Sequence, residues 1–381
     1  MQCAAYFSRK AAIGRQFNDV GTPRRNGYEM ISTYSNKTTV KAPTEVAIDP
    51  KRPIIDTHHH LWHRAGYRYL LDEFRADLEC GHNLVGTVYI EGSAAIFVDQ
   101  KDGGVMYRPN GPKEMRPLGE VEFANGVAAM AASGQCGQTA VAAGIVGYVE
   151  LLDDPVTVAA ALEAQAHVSR FRGVRYHVGW HEDTRIKNPD LATWKGMLYD
   201  EKIRASLREV ERLGLAFDVA LLFTQLEDFH DLARAHPQLK IVLDHCGSPA
   251  VSGPYEGKGR EVYAHWRTWV EKIAELPNVT AKLGGLGKPR NGLLSEDLGS
   301  EAVAEVWRPY METSIDLFGP DRCTFESNFP VDGMFVPYNV VWNAYKRITS
   351  AYSEDEKHEM FFGTATRLYD LDLTTADRAS V

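Results

Sequence analysis

Eight short runs rich in Val, Ile, Leu and Phe alternate with stretches of helical character, and this rhythm limits the folds open to the chain more than any other feature. The runs are Arg52–Asp56, Leu84–Glu91, Ala142–Glu150, Arg172–Val178, Leu215–Leu222, Leu239–Leu243, Asn278–Leu283 and Arg322–Glu326. Strands covered on both faces read as such runs. Helical signals fall between them. Asp154–Pro155 supplies a capping carboxylate followed by proline at the first helical position. Val262, Trp266, Trp269, Val270 and Ile273 recur at helical spacing. Ser300 is predicted to cap a helix that Gly319–Pro320 stops, and Ser353 with Glu356 forms a capping box. Strand–helix alternation favours parallel strands with right-handed crossovers. Eight such units predict an α/β fold, a (β/α)8 TIM-like barrel. No glycine-rich dinucleotide fingerprint or phosphate loop follows any run, which counts against an open cofactor-binding sheet.

A chain of 381 residues accommodates one such barrel with insertions. The predicted organisation is a basic N-terminal extension over 1–50, disordered or extended, a barrel over 51–373 and a tail over 374–381. The first 41 residues carry seven Lys or Arg and two acids, a balance that fits a mitochondrial transit peptide. A disordered tail, or a true start at Met30, accounts for the same features. About fifty residues separate the second and third runs, with a helix predicted over Gly119–Ala132. In a barrel, a long loop after a strand covers the C-terminal face, where sites form.

The formal charge of −9 argues against a general nucleic-acid or anionic-membrane binder. No apolar run is long enough to span a bilayer. Cys3, Cys80, Cys136, Cys246 and Cys323 are scattered and form no CxxC pair, so free thiols and a cytoplasmic location are expected.

The densest chemical signal is IIDTHHHLWHR at the end of the first run. Alternation places Asp56, His58 and His60 on one face, with Thr57 and His59 on the other. Two imidazoles two residues apart at a strand end can converge on one cation and leave positions for water or substrate. A surface histidine cluster is the bland alternative, but this one follows a buried apolar strand.

Read as D-x-H-x-H-L-W, this segment resembles the first-strand motif of the amidohydrolase superfamily. It is most similar to the amidohydrolase-related branch of sugar lactonases, pyrone-dicarboxylate lactonases and non-oxidative decarboxylases. FRGVRYHVGW, IVLDHCGSP, NVTAKLGGL, FESNFPVD and GTATRLYDL resemble that branch's later motifs in the same order, over about Pro53 to Leu371. The resemblance implies a TIM-like barrel and, in most members, catalysis at a metal held by strand-end ligands. Two departures stand out. Phe223 occupies the place of a fifth-strand histidine, and Asn328 replaces the eighth-strand aspartate that usually binds metal and activates water.

The remaining candidates are few. Glu91 ends the second strand as ligand or general base, or as a salt-bridge partner of Arg175. Arg175 suits capture of a carboxylate or carbonyl, and His177 shares its face. His245 is the best third ligand, Lys282 a substrate-anion or carboxylate partner, and Asn328 an oxyanion donor. The favoured reading is a metal-dependent hydrolase, with zinc expected and iron or manganese as alternatives, held by His58, His60 and His245 or Glu91. Its substrate is a small acidic or oxygen-rich molecule, a lactone first among them by analogy. Three other readings stay open. An iron-dependent oxygenase would use His58, His60 and Glu91 as a facial set. The others are a non-oxidative decarboxylase and a non-catalytic small-molecule binder. A homo-oligomer is compatible with the sequence, which does not fix the assembly.

Overall fold

The computed structural model describes residues 45–373 apart from 65–66, 93–105, 136, 188–190 and 295–297. The readings made for residues 1–44 and 374–381, and for Cys3 and Cys136, lie outside the described residues. Eight parallel strands form one nearly closed barrel in chain order. They are β1 (Pro53–His59), β2 (Asn83–Ile90), β3 (Ala140–Gly147), β4 (Phe171–His177), β5 (Ala216–Ala220), β6 (Lys240–Leu243), β7 (Val279–Leu283) and β8 (Cys323–Phe325). The predicted TIM-like fold is therefore present. Where β8 stops, the chain still joins the first strand to the last. Asn328 N donates to His58 O at 2.8 Å, and His60 N donates to Phe329 O at 2.7 Å.

A helix follows each strand: α1 (Leu71–Leu78), α2 (Leu118–Met130), α3 (Pro155–Ala166), α4 (Glu201–Arg212), α5 (Leu226–Ala235), α6 (Gly259–Ala274), α7 (Ser300–Phe318) and α8 (Tyr338–Ile348). The Asp154 carboxylate accepts from Val156 N and Thr157 N, both at 3.1 Å, so the predicted cap of α3 forms. The predicted cap of α7 differs. Ser300 is the first helical residue, and its backbone N–H is taken at 2.7 Å by the carboxylate of Glu45. A side chain distant in sequence thus satisfies one of the helix's orphan donors, while Ser300 itself makes no side-chain cap. Trp266, Trp307 and Trp342 are fully buried in the helical ring. Among the described residues no helix is long and apolar enough to cross a membrane.

The described part of the long connection from β2 to β3 resumes at Met106 and leads into α2. Arg108 N donates to Arg116 O at 2.9 Å, which folds the segment back on itself. Gly119 lets it lie flat, because a Cβ there would sit 2.7 Å from Met106 O. That packing delivers Tyr107 to the barrel's C-terminal side.

Candidate active site

Three imidazoles meet at the C-terminal end of the barrel. His58 lies in β1, His60 just beyond it, and His245 just past β6 in a left-handed turn with φ 57°. Ring centroids are 4.8 Å apart for His58–His60 and 4.7 Å for His58–His245. All three are buried, and burial with nearby positive charge keeps His58 and His245 neutral, their pKa values held well below the usual imidazole value.

Back-side partners orient the rings. His60 Nδ1 donates to the Ile90 carbonyl at 2.9 Å, which leaves a lone pair on Nε2. His245 Nδ1 faces Glu326 Oε1 at 2.5 Å, with the same consequence. His58 Nε2 lies 3.2 Å from Arg175 Nη1, a group that only donates, so this nitrogen also bears a lone pair. Its Nδ1 lies 2.9 Å from Glu326 Oε2 and 3.4 Å from Lys282 Nζ. One carboxylate, Glu326, thus stands behind two rings. Neutral imidazoles with aimed lone pairs are metal ligands by chemistry.

Charge around the rings is uneven. Lys282 Nζ lies 2.6 Å from Asp218 Oδ2 and 3.4 Å from Asp244 Oδ1, all fully buried. Both Asp244 oxygens are buried without a hydrogen-bond donor. His58, Asp244 and His245 each offer one ligand atom, all within 4.8 Å of one another. Orphaned carboxylate oxygens beside neutral imidazoles fit a cation. Burial pushes the Glu326 carboxyl well above the usual range, against the pull of Lys282.

The amidohydrolase family pattern matches residues 55–371. The chain belongs to the amidohydrolase family. This amidohydrolase is 31% identical over 322 residues to an uncharacterized protein, y4mH, of Sinorhizobium fredii, covering 83% of this chain and 98% of that one. It is 26% identical over 283 residues to an L-fucono-1,5-lactonase of Burkholderia multivorans, covering 70% of this chain and 88% of the relative. A zinc-bound amidohydrolase structure from Burkholderia multivorans superposes with a TM-score of 0.63 at 22% identity, covering 84% of this chain and 99% of the other. That structural likeness concerns the fold.

In the amidohydrolase, Glu91 and Arg175 come together as an ion pair, Arg175 Nε to Glu91 Oε1 at 2.7 Å. Arg175 Nη2 also donates to the Glu91 carbonyl. His177 Nε2 lies 3.7 Å from Glu91 Oε1 and has no hydrogen-bond partner. Lys282 is engaged by Asp218 and Asp244, as described. Asn328, at φ 55°, turns its amide to Asp332 Oδ1 at 2.6 Å, so the donor expected at an oxyanion is occupied elsewhere. Phe223 is buried beyond β5, edge-on to Tyr255 at 5.0 Å. The Cys246 thiol is pushed up by burial, which leaves no thiolate beside His245. His59 points outward, stacked on Phe74 at 4.2 Å.

Three buried carboxylates around Lys282 and the rings were not singled out in the sequence: Asp218, Asp244 and Glu326. Asp218 interrupts the apolar run Ala216–Ala220, and a carboxylate inside such a run is itself a signal of a buried cation. Glu326 stands directly after β8, two positions before Asn328.

Proposed function

We propose that this amidohydrolase uses one divalent metal, zinc in the first instance, to hydrolyse a small oxygen-rich molecule of the lactone class. The observation that carries the reading is the grouping of His58, His245 and Asp244, each offering one ligand atom within 4.8 Å of the others, with both Asp244 oxygens lacking a hydrogen-bond partner. His58, His245 and Asp244 would hold the ion, with His60 beside them. When bound, such an ion polarises a carbonyl and lowers the pKa of its water. The chain's own groups do the rest. Glu326 keeps the His245 ring in the binding tautomer. Arg175, braced by Glu91, points Nη1 into the centre, where it orients the substrate's oxygen. Asp244, ion-paired to Lys282 at 3.4 Å and otherwise without a hydrogen-bond partner, accepts the proton from the attacking water. The lactonase relative at 26% identity supports the substrate class. The carboxylate of the alternative iron-binding set, Glu91, is held by Arg175.

Elemental analysis of protein purified without chelators tests this reading together with a lactone panel followed by acid release. Zinc or manganese at about one ion per chain, with lactone opening, is expected. His58→Ala and His60→Ala are each expected to lose the metal, and full retention in both would overturn the assignment. Iron with oxygen uptake would identify an oxygenase, carbon dioxide release a decarboxylase, and no metal with no turnover a binding protein.

A further inference from the structure

A ladder of buried polar contacts crosses the barrel from the end opposite the site. It starts in the chain's last described segment. After the short helix Thr364–Leu368 the backbone turns, with Tyr369 N donating to Ala365 O at 3.2 Å and Leu371 N to Thr366 O at 3.0 Å. Arg172, the second residue of β4, donates through Nε to Asp370 O at 2.9 Å, which pins the turn to the N-terminal side of the sheet. Tyr369, Leu371 and Leu373 join Ile55, Val88 and Val242 in one apolar cluster. Gly144 in β3 leaves room for this, because a Cβ there would sit 2.8 Å from Leu371 Cδ2. The segment is therefore firmly anchored.

Tyr369 is buried, and its hydroxyl donates to Asp218 Oδ2 at 2.7 Å. Burial and the Asp218 charge push the phenol well above its usual pKa, so it stays a donor. The same oxygen takes the Lys282 ammonium at 2.6 Å. Asp218 Oδ1 is buried with no hydrogen-bond partner, so among the described residues these two donors fix the carboxylate. The Tyr369 ring adds a second hold, since Lys282 Nζ lies 5.5 Å from its centroid, within cation–π reach. On its other side the ammonium faces the candidate metal ligands, 3.4 Å from Asp244 Oδ1 and 3.4 Å from His58 Nδ1. Neither Asp244 oxygen receives a hydrogen bond, so the ammonium stops short of them. Lys282 is thus shared unequally between two carboxylates. An ammonium and a metal ion compete for Asp244, because both are cations seeking the same oxygens.

We infer that Tyr369 is a positioning residue for this site: by orienting Asp218 it holds the Lys282 ammonium off Asp244 and keeps that carboxylate open to a cation. The inference rests on the metal-binding part of the proposed function and not on the reaction. The Tyr369 hydroxyl acts through two side chains in turn. Without it, Asp218 is free to rotate and its grip on Lys282 weakens. The other carboxylate within ion-pair distance of the ammonium is Asp244, so the ammonium settles there and withdraws Asp244 from the ion. Phenylalanine at this position fills the same space and keeps a ring beside Lys282, so it isolates the hydroxyl.

The test is Tyr369→Phe in the full-length protein, with two readouts. Zinc affinity, measured by competition with a chelator, is expected to fall about 3–10-fold, less than for a group that touches a ligand directly. Tyr369→Phe should change zinc affinity no further in Lys282→Met, where no ammonium is left to move, or in Asp218→Asn, which has already released it. Either background serves if the other fails to fold. A control removes a buried hydroxyl far from the ladder: Tyr263→Phe breaks a 2.7 Å contact with Thr313 and should lower Tm without changing zinc affinity. The second readout needs no metal. In crystals of metal-free Tyr369→Phe, Lys282 Nζ is expected within about 3 Å of Asp244. Unchanged zinc affinity in Tyr369→Phe, an equal further loss in the two backgrounds, or an ammonium still held on Asp218 overturns the inference. If the unaltered protein binds no zinc while the ammonium moves as expected, the positioning role stands and the metal reading falls. If affinity behaves as expected while no lactone is opened, the positioning role stands and the hydrolase reading falls.

Discussion

Replacing Lys282 with methionine asks whether its ammonium is a structural charge or a substrate ligand. The side chain is fully buried, 2.6 Å from Asp218 and 3.4 Å from Asp244. At an effective dielectric of about 20, those attractions are about 6 and about 5 kcal/mol before desolvation is subtracted. Burial lowers the ammonium's own pKa, but the two carboxylates outweigh it and hold the pKa above the usual lysine value. Losing the cation strands Asp218, whose Oδ2 keeps only the Tyr369 hydroxyl at 2.7 Å. The cost has a ceiling. Burial already holds the Asp218 pKa up at about 6 with Lys282 present, so without the ammonium it takes a proton near neutral pH. The expected net loss is ~3–5 kcal/mol, as for other broken buried pairs. For a chain of this size that is roughly 4–6 °C in Tm, read by scanning calorimetry. Asp218→Asn in the Lys282→Met background should recover part of it, with a coupling of about 2–3 kcal/mol in the double-mutant cycle. A Lys282→Met protein with unaltered Tm and abolished activity would refute the structural assignment and make Lys282 a substrate group.

Two further substitutions probe the ring geometry. Glu326→Gln keeps the shape but weakens the hold on the His245 Nδ1–H by replacing a carboxylate with an amide, so metal affinity measured by competition with a chelator should fall about 10–100-fold; unchanged affinity would mean that Glu326 does not set the ring orientation. Gly285 has φ +61°, and a Cβ there would overlap the His245 ring, so Gly285→Ala should displace His245 and lose metal while the far-ultraviolet circular dichroism stays that of the barrel.

The barrel was legible because its strands are buried on both faces, and the seven-residue β1 shows that pattern at every position. Boundaries were less so. β3 runs from Ala140 to Gly147, whereas the apolar run suggested Ala142–Glu150, because Tyr148 and Glu150 leave the sheet for a hydrogen bond of their own at 2.8 Å. His58, His60, His245 and Arg175 were readable by residue type at strand ends. Asp244 was not, for a geometric reason. Period-two alternation puts neighbours on opposite faces, but β6 ends at Leu243 and the chain turns left-handed at His245 and Cys246. Beyond Leu243 the rule no longer applies, and Asp244 and His245 reach the same centre.

The eighth strand shows the same limit with a larger consequence. Position 328 draws attention because an amide stands where the resemblance leads one to expect a carboxylate. Yet Asn328 lies past β8 at φ 55°, bound to Asp332, while the carboxylate two residues earlier sits against both His58 and His245. The negative charge at this barrel end has moved rather than vanished. Asp218, Asp244 and Glu326 surround Lys282 and His58, three buried carboxylates around one ammonium and neutral rings. Such an excess is stable only if a proton or a metal cation offsets it. The imidazole lone pairs, aimed by Glu326 and the Ile90 carbonyl, favour the cation, because a proton uses one lone pair and a metal uses several.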